Sequence, residues 1–190
     1  MAGFRHALTS VGFPAPSEEV LRSDLGPPVG DLFASLGLPT ELIPQAVAAY
    51  RAYYRCSGMR QARVYADVPE VLDRLGSTAV LATATAKLTT VVTDFLALHG
   101  LQRHFAVVNG TDERSHTKTE TLTRTLELLG GPPADRVVMV GDRHSDIDAA
   151  RACGVSSVGV LWGYGTAAEL EESRPDHLIN RPQELLDLLG

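Results

Sequence analysis

Cysteine is scarce in this chain: its 190 residues contain two, Cys56 and Cys153. Two cysteines build no disulfide framework, and neither has a partner at metal-ligand spacing. Both are expected to be buried, inert thiols in a reducing compartment. Positive charge is also short. Lys and Arg total 17 against 23 Asp and Glu, for a net charge of −6. A general nucleic-acid binder needs a basic face, so that class is excluded. No apolar run approaches the ~20 residues that cross a bilayer, so no membrane partner is expected. The opening Met-Ala-Gly-Phe-Arg-His-Ala-Leu lacks the apolar core of a signal peptide, which makes the cytoplasm the expected location. Convincing strands are missing from the first third of the chain.

What is present changes character near residue 65. Phe4, Ala7, Leu8 and Val11 recur at helical spacing, and Ser17 precedes Glu18-Glu19 as a helix start. Leu25-Gly26-Pro27-Pro28 reads as a break. Val29 to Leu36 and Pro39 to Arg55 read as helices. Residues 1–64 are therefore expected to form a helical cap, and 65–190 an α/β core. In the core, apolar strand-like runs alternate with helical patterns. The runs are 78–83, 105–108, 137–140, 156–162 and 177–179. Such alternation predicts a Rossmann-like parallel sheet with right-handed crossovers.

The chemistry concentrates at Val137-Val138-Met139-Val140-Gly141-Asp142-Arg143-His144-Ser145-Asp146. The apolar run reads as a strand buried on both faces, and Gly141 lets the backbone turn where it stops. Asp142 then sits at a strand's carboxyl end, where open α/β sheets place their ligands. Asp146 follows at the start of a helix. Mg²⁺ prefers carboxylate oxygens, so the pair reads as a magnesium-assisted phosphoryl site. Equally, two aspartates at a helix start can simply cap it. Thr85 follows another strand and could donate to a phosphate oxygen, or cap a helix. Lys118 opens a helix, where a cation opposes the helix dipole, so it is a candidate for neutralising phosphate and carboxylate charge. His144 reads as a loop residue and His116 as a solvated one. Arg143 could pair with a substrate or with a nearby carboxylate.

In order and spacing, these phrases resemble the haloacid dehalogenase-like hydrolases, and within them the phosphoglycolate phosphatase-like subgroup. Thr83-Ala84-Thr85-Ala86-Lys87, Lys118, Gly141-Asp142-x-x-x-Asp146 and Gly159-Val160-Leu161-Trp162-Gly163-Tyr164-Gly165 carry the likeness. The resemblance implies a Rossmann-like core with a small helical cap and Mg²⁺-dependent hydrolysis of small phosphate monoesters through an aspartyl-phosphate. By that likeness Asp142 and Asp146 are the metal residues. Thr85, Ala86 and Lys118 bind phosphate, and Lys118 and Thr85 assist catalysis. The partner is a small phosphorylated metabolite, and a homodimer is left open.

One part of the family pattern is missing. Its first motif is an apolar strand followed by Asp-x-Asp-x-Thr, whose first aspartate is the nucleophile. Here the helical pattern is under way by residue 3, and the first aspartate is Asp24. In the family that strand lies mid-sheet, between the strands leading to Thr85 and Asp142. Its loss should leave a gap of about 10 Å, twice the usual strand spacing. Backbone groups on both sides would lose their partners. The expectations are a recorded start at an internal methionine, a non-catalytic relative that keeps a relic phosphate or metal pocket, or completion by another chain. In each case this chain alone lacks the nucleophile and should be inactive and marginally stable. Ala86 stands where relatives usually carry a polar residue.

Overall fold

The computed structural model describes residues 1–23, 28–112 and 117–189. The expected break at Leu25-Gly26-Pro27 and the reading of His116 fall outside these residues. Two compact units divide the chain, Met1–Arg63 and Val64–Gly190.

The first unit is helical: α1 (Ala2–Ser10), α2 (Glu18–Ser23), α3 (Val29–Ser35), α4 (Ile43–Tyr53) and α5 (Met59–Gln61). Its own core explains its independence. Phe4, Ala7 and Leu8 of α1 close over Leu21, Leu32, Phe33, Leu38 and Ala46. The Phe4 ring meets Phe33 edge-on at 6.1 Å. A π-helical turn, Tyr54–Gly58, follows α4 at the end of the stretch expected to be a helix, and Cys56 within it is exposed. Cys56 is therefore not the buried thiol expected from the sequence. Cys153 is half-buried, its sulfur 3.5 Å from the Thr123 hydroxyl.

The second unit alternates as its sequence pattern demands. The order is α6 (Val68–Leu75), β1 (Leu81–Leu88), α7 (Thr89–Leu98), β2 (Phe105–Thr111), α8 (Lys118–Leu128), β3 (Val138–Gly141), α9 (His144–Cys153), β4 (Ser156–Val160), α10 (Ala167–Ser173), β5 (His177–Ile179) and α11 (Glu184–Leu189). All strand pairs are parallel. Among the described residues the strands do not join into one sheet. β1 pairs with β2, and β3-β4-β5 form a separate three-stranded sheet. The break falls between the strands that lead to Thr85 and Asp142, and β1 and β3 do not pair across it.

That break overturns one local expectation. The run ending at Gly141 is not buried on both faces, since Val140 is 37% exposed. β1, expected as a buried strand, is half-buried along most of its length. Both strands have a neighbour on one side only, so neither can be fully enclosed. Helices hold the two sheets instead. Leu122 of α8, Met139 of β3 and Ala149 and Ala150 of α9 form one cluster, with Ala84 of β1 packed against it. Val71 and Leu75 of α6 pack with Val158, Val160, Ile179 and Leu185, and Leu81 of β1 joins them.

A buried polar knot fastens α8 to the smaller sheet. The Asn109 amide donates to the Thr121 carbonyl at 3.0 Å and to the Thr125 hydroxyl at 2.9 Å. The Thr125 hydroxyl also lies 3.1 Å from the Thr83 carbonyl on β1. Asn109 is 3% exposed, so the amide would be costly without these partners.

Candidate active site

The carboxyl ends of β1 and β3 carry the candidate residues. α8 begins at Lys118 because Thr117 caps it. The Thr117 hydroxyl accepts from the Glu120 amide at 3.1 Å, and the Glu120 carboxylate accepts from the Thr117 amide at 2.9 Å. With its backbone fixed, Lys118 extends to two acceptors on different sheets' elements. Its Nζ donates to the Ala84 carbonyl of β1 at 2.8 Å and pairs with Asp146 Oδ1 at 2.7 Å. Lys118 and Asp146 side chains are 18% and 6% exposed, so this is an enclosed ion pair.

Asp146 caps its helix, as its sequence position allowed, and makes the ion pair as well. Besides the ion pair, its Oδ2 accepts from the Arg143 amide at 3.1 Å and so caps the first turn of α9. Gly141 makes room for this. A Cβ there would overlap the Asp146 Cβ and carboxyl group. Its φ is not among the positive values of the chain, so space, and not the expected backbone freedom, is what demands glycine.

Asp142 is held from the loop after β4. Its Oδ2 accepts from the Tyr164 amide at 2.7 Å. Side chains at Gly163 or Gly165 would strike the Asp142 carboxyl or its carbonyl oxygen. The Gly163-Tyr164-Gly165 phrase is thus a cradle for Asp142. Oδ1 of Asp142 has no hydrogen-bond partner among the described residues.

Arg143 and His144 turn away from that carboxylate. Glu169 Oε1 accepts from Arg143 Nε at 2.8 Å and from the His144 amide at 3.0 Å, and stands 2.8 Å from His144 Nδ1. Burial alone would raise the Glu169 pKa, but these donors together hold it at about 2. Arg143 therefore pairs with a carboxylate, the second of its two expected alternatives. His144 is the first residue of α9 and not a loop residue. Glu169 itself carries no sequence signal, because the pairing spans 26 residues and a different helix.

Thr85 lies within β1 and not at a helix start, since α7 begins at Thr89. Its hydroxyl accepts from the Lys87 amide at 3.3 Å, so the helix-cap alternative is corrected. The Ala86 carbonyl accepts from the Thr111 hydroxyl at 3.0 Å. Lys87 has no distinguishing signal in the sequence. Partial enclosure and the nearby Lys118 charge push its pKa down, against the pull of Asp142.

Among the described residues, no three His, Cys, Asp or Glu side chains gather as a metal cluster. The residues present nevertheless fit Mg²⁺ in part. Mg²⁺ commonly takes one or two carboxylates and completes its shell with water and phosphate. The unengaged Oδ1 of Asp142 is the oxygen that could bind it. Both oxygens of Asp146 are engaged, so Asp146 could support the ion only from behind.

Comparison with known proteins shows the family of the chain. The family model described as haloacid dehalogenase-like hydrolase matches residues 1–160. The chain is 35% identical over 176 residues to the tyrosine-protein kinase PtkA of Mycobacterium tuberculosis, covering 91% of this chain and 60% of that protein. The chain thus spans under two thirds of that relative's length. It is 28% identical over 195 residues to phosphoglycolate phosphatase of Vibrio parahaemolyticus, covering 97% of this chain and 86% of that protein. Its fold is similar to a haloacid dehalogenase-like hydrolase from Streptococcus pneumoniae, with a TM-score of 0.93 and 25% identity. That likeness covers all of this chain and 89% of the other. By sequence and by fold, the chain belongs to the haloacid dehalogenase-like hydrolase family.

Proposed function

We propose that this chain is the larger part of a Mg²⁺-dependent phosphatase of small phosphate monoesters, phosphoglycolate phosphatase-like in substrate class. In this reading the reaction runs through an aspartyl-phosphate whose aspartate comes on a strand inserted between β1 and β3. The chain as given is then inactive. The observation that carries the reading is the position of Lys118, which ties the end of β1 to Asp146 across the break between the sheets. A strand entering that break would deliver its carboxyl end beside Lys118, Thr85 and Asp142.

The proposed roles follow the geometry. Asp142 offers an oxygen to Mg²⁺, and Asp146 holds the start of α9 and the Lys118 ammonium in place. The metal, when bound, neutralises charge that develops on the phosphoryl oxygens. Thr85 and the backbone at Ala86 face the phosphoryl group. The protein works in the cytoplasm on a small phosphorylated metabolite.

The second reading is a non-catalytic relative with a relic phosphate or metal pocket. It is favoured by the engagement of both Asp146 oxygens, which leaves one carboxylate oxygen for a ligand. One assay separates the two. The 190-residue chain and an upstream-extended version are tested for p-nitrophenyl phosphate hydrolysis with Mg²⁺. The expected result is turnover by the extended protein alone, abolished by Asp142→Asn. An inactive extended protein defeats the phosphatase reading, and turnover by the short chain defeats the claim that it lacks a nucleophile.

A further inference from the structure

The whole chain contains two lysines, Lys87 and Lys118. Both lie at the Asp142 end of the core, near enough for their charges to act on each other. They are not equivalent. Lys118 is occupied, with the Ala84 carbonyl at 2.8 Å and the Asp146 carboxylate at 2.7 Å. Two of its three N–H donors are used in this way.

Lys87 is presented differently. The β1–β2 register runs Thr85 to Gly110 and then Leu88 to Thr111, so Ala86 and Lys87 bulge from the ladder without counterparts. Bulges of this kind re-aim side chains and recur beside active sites. This one is fastened at several points. The Thr111 hydroxyl donates to the Ala86 carbonyl at 3.0 Å, and the Lys87 amide to the Thr85 hydroxyl at 3.3 Å. The Thr89 hydroxyl accepts from the Gly110 amide at 3.0 Å. Gly110 has no room for a side chain, since a Cβ would overlap the Lys87 carbonyl. Part of the Lys87 residue is exposed while protein encloses its ammonium, which has no hydrogen-bond or ion-pair partner among the described residues. A cation kept beside another cation on a pinned bulge, hydrogen-bonded to no described residue, is arranged for an anion that arrives.

We infer that Lys87 is a substrate-binding residue whose ammonium receives an anionic oxygen of the phosphate-bearing substrate, while Lys118 positions Asp146 and the end of β1. This rests on the proposed phosphate site. It adds Lys87 to the phosphate-facing residues that the family likeness implied, Lys118 among them.

The test begins without catalysis. Inorganic phosphate is titrated calorimetrically into the 190-residue chain with Mg²⁺, for the natural sequence, Lys87→Met and Lys87→Arg. Lys87→Met should weaken phosphate binding roughly tenfold or more, the usual effect of losing a charge-assisted contact. Lys87→Arg should recover much of it. Circular dichroism should not change, and Lys87→Arg, which keeps the charge, serves as the folding control. In the extended protein, Lys87→Met should raise KM with kcat nearly kept. Equal rises for p-nitrophenyl phosphate and phosphoglycolate place the ammonium on the transferred phosphate. A larger rise for phosphoglycolate places it on the leaving group's carboxylate. Unchanged phosphate affinity in Lys87→Met overturns the inference, as does a natural chain that binds no phosphate. An extended protein without turnover would defeat the phosphatase reading, while the phosphate titration would still decide the role of Lys87.

Discussion

Replacing Lys118 with Met removes the ammonium and keeps a stem of similar length. Asp146 then loses its partner at 2.7 Å, and the Ala84 carbonyl loses its donor at 2.8 Å. Breaking an enclosed ion pair from one side usually costs 3–5 kcal/mol, about 3 here because Lys118 retains 18% exposure. The carbonyl adds roughly 1 kcal/mol. Packing of the methionine stem returns part of the sum. The expected loss is about 3 kcal/mol, or about 10 °C in Tm for a core of this size. Urea unfolding followed by circular dichroism measures it. Adding Asp146→Asn should recover about 1 kcal/mol or more, because the uncompensated charge disappears while the bond from the Arg143 amide can persist. A loss below about 1 kcal/mol for Lys118→Met, the range of an exposed pair, would refute the reasoning. So would strict additivity in the double variant.

Three further outcomes are expected. Gly141→Ala should lower stability by about 2 kcal/mol through overlap with Asp146, and a neutral urea midpoint would show that α9 shifts freely. Glu169 is held at about 2 from an ordinary 4.5, so its contribution of up to about 3 kcal/mol is complete above pH 4.5 and drains as the pH falls toward 2. Urea midpoints at pH 7 and pH 3 should therefore converge for Glu169→Gln relative to the natural chain; an unchanged difference contradicts the pairing. A thiol reagent in native buffer should label Cys56 quickly and Cys153 slowly, and equal rates would contradict their different exposure.

The order of elements is legible in the sequence because the helical and strand periodicities differ and because Gly and Pro punctuate them. Gly154, at φ 70°, ends α9 where the sequence pattern places the stop. The gap expected between the strands that lead to Thr85 and Asp142 has its counterpart in the fold, where the described strands form two sheets. What the sequence hides has a common cause. Glu169, Asn109 and Thr125 act through partners far away in sequence, so no local pattern marks them. β1 runs on to Leu88, five residues past its expected end, because β2 and the pinned bulge support it beyond its apolar run. A lysine such as Lys87 is ordinary until its neighbours are known. Gly141 stands out in the sequence for a different physical reason from the one that operates.

The division of the sheet also bears on cooperativity. Among the described residues, backbone pairing stops at β1 on one side and at β3 on the other, and the two sheets are coupled by side-chain packing that includes the covering helices. Side-chain contacts transmit an unfolding front less completely than a continuous ladder does, and regions joined in this way open as separate units. Amide protons of β1 and β3 should therefore exchange through local openings, well before the three-stranded sheet as a whole is lost. A strand that filled the break would merge two weakly linked folding units into one, and ligand chemistry at Asp142 would then depend on events at β1.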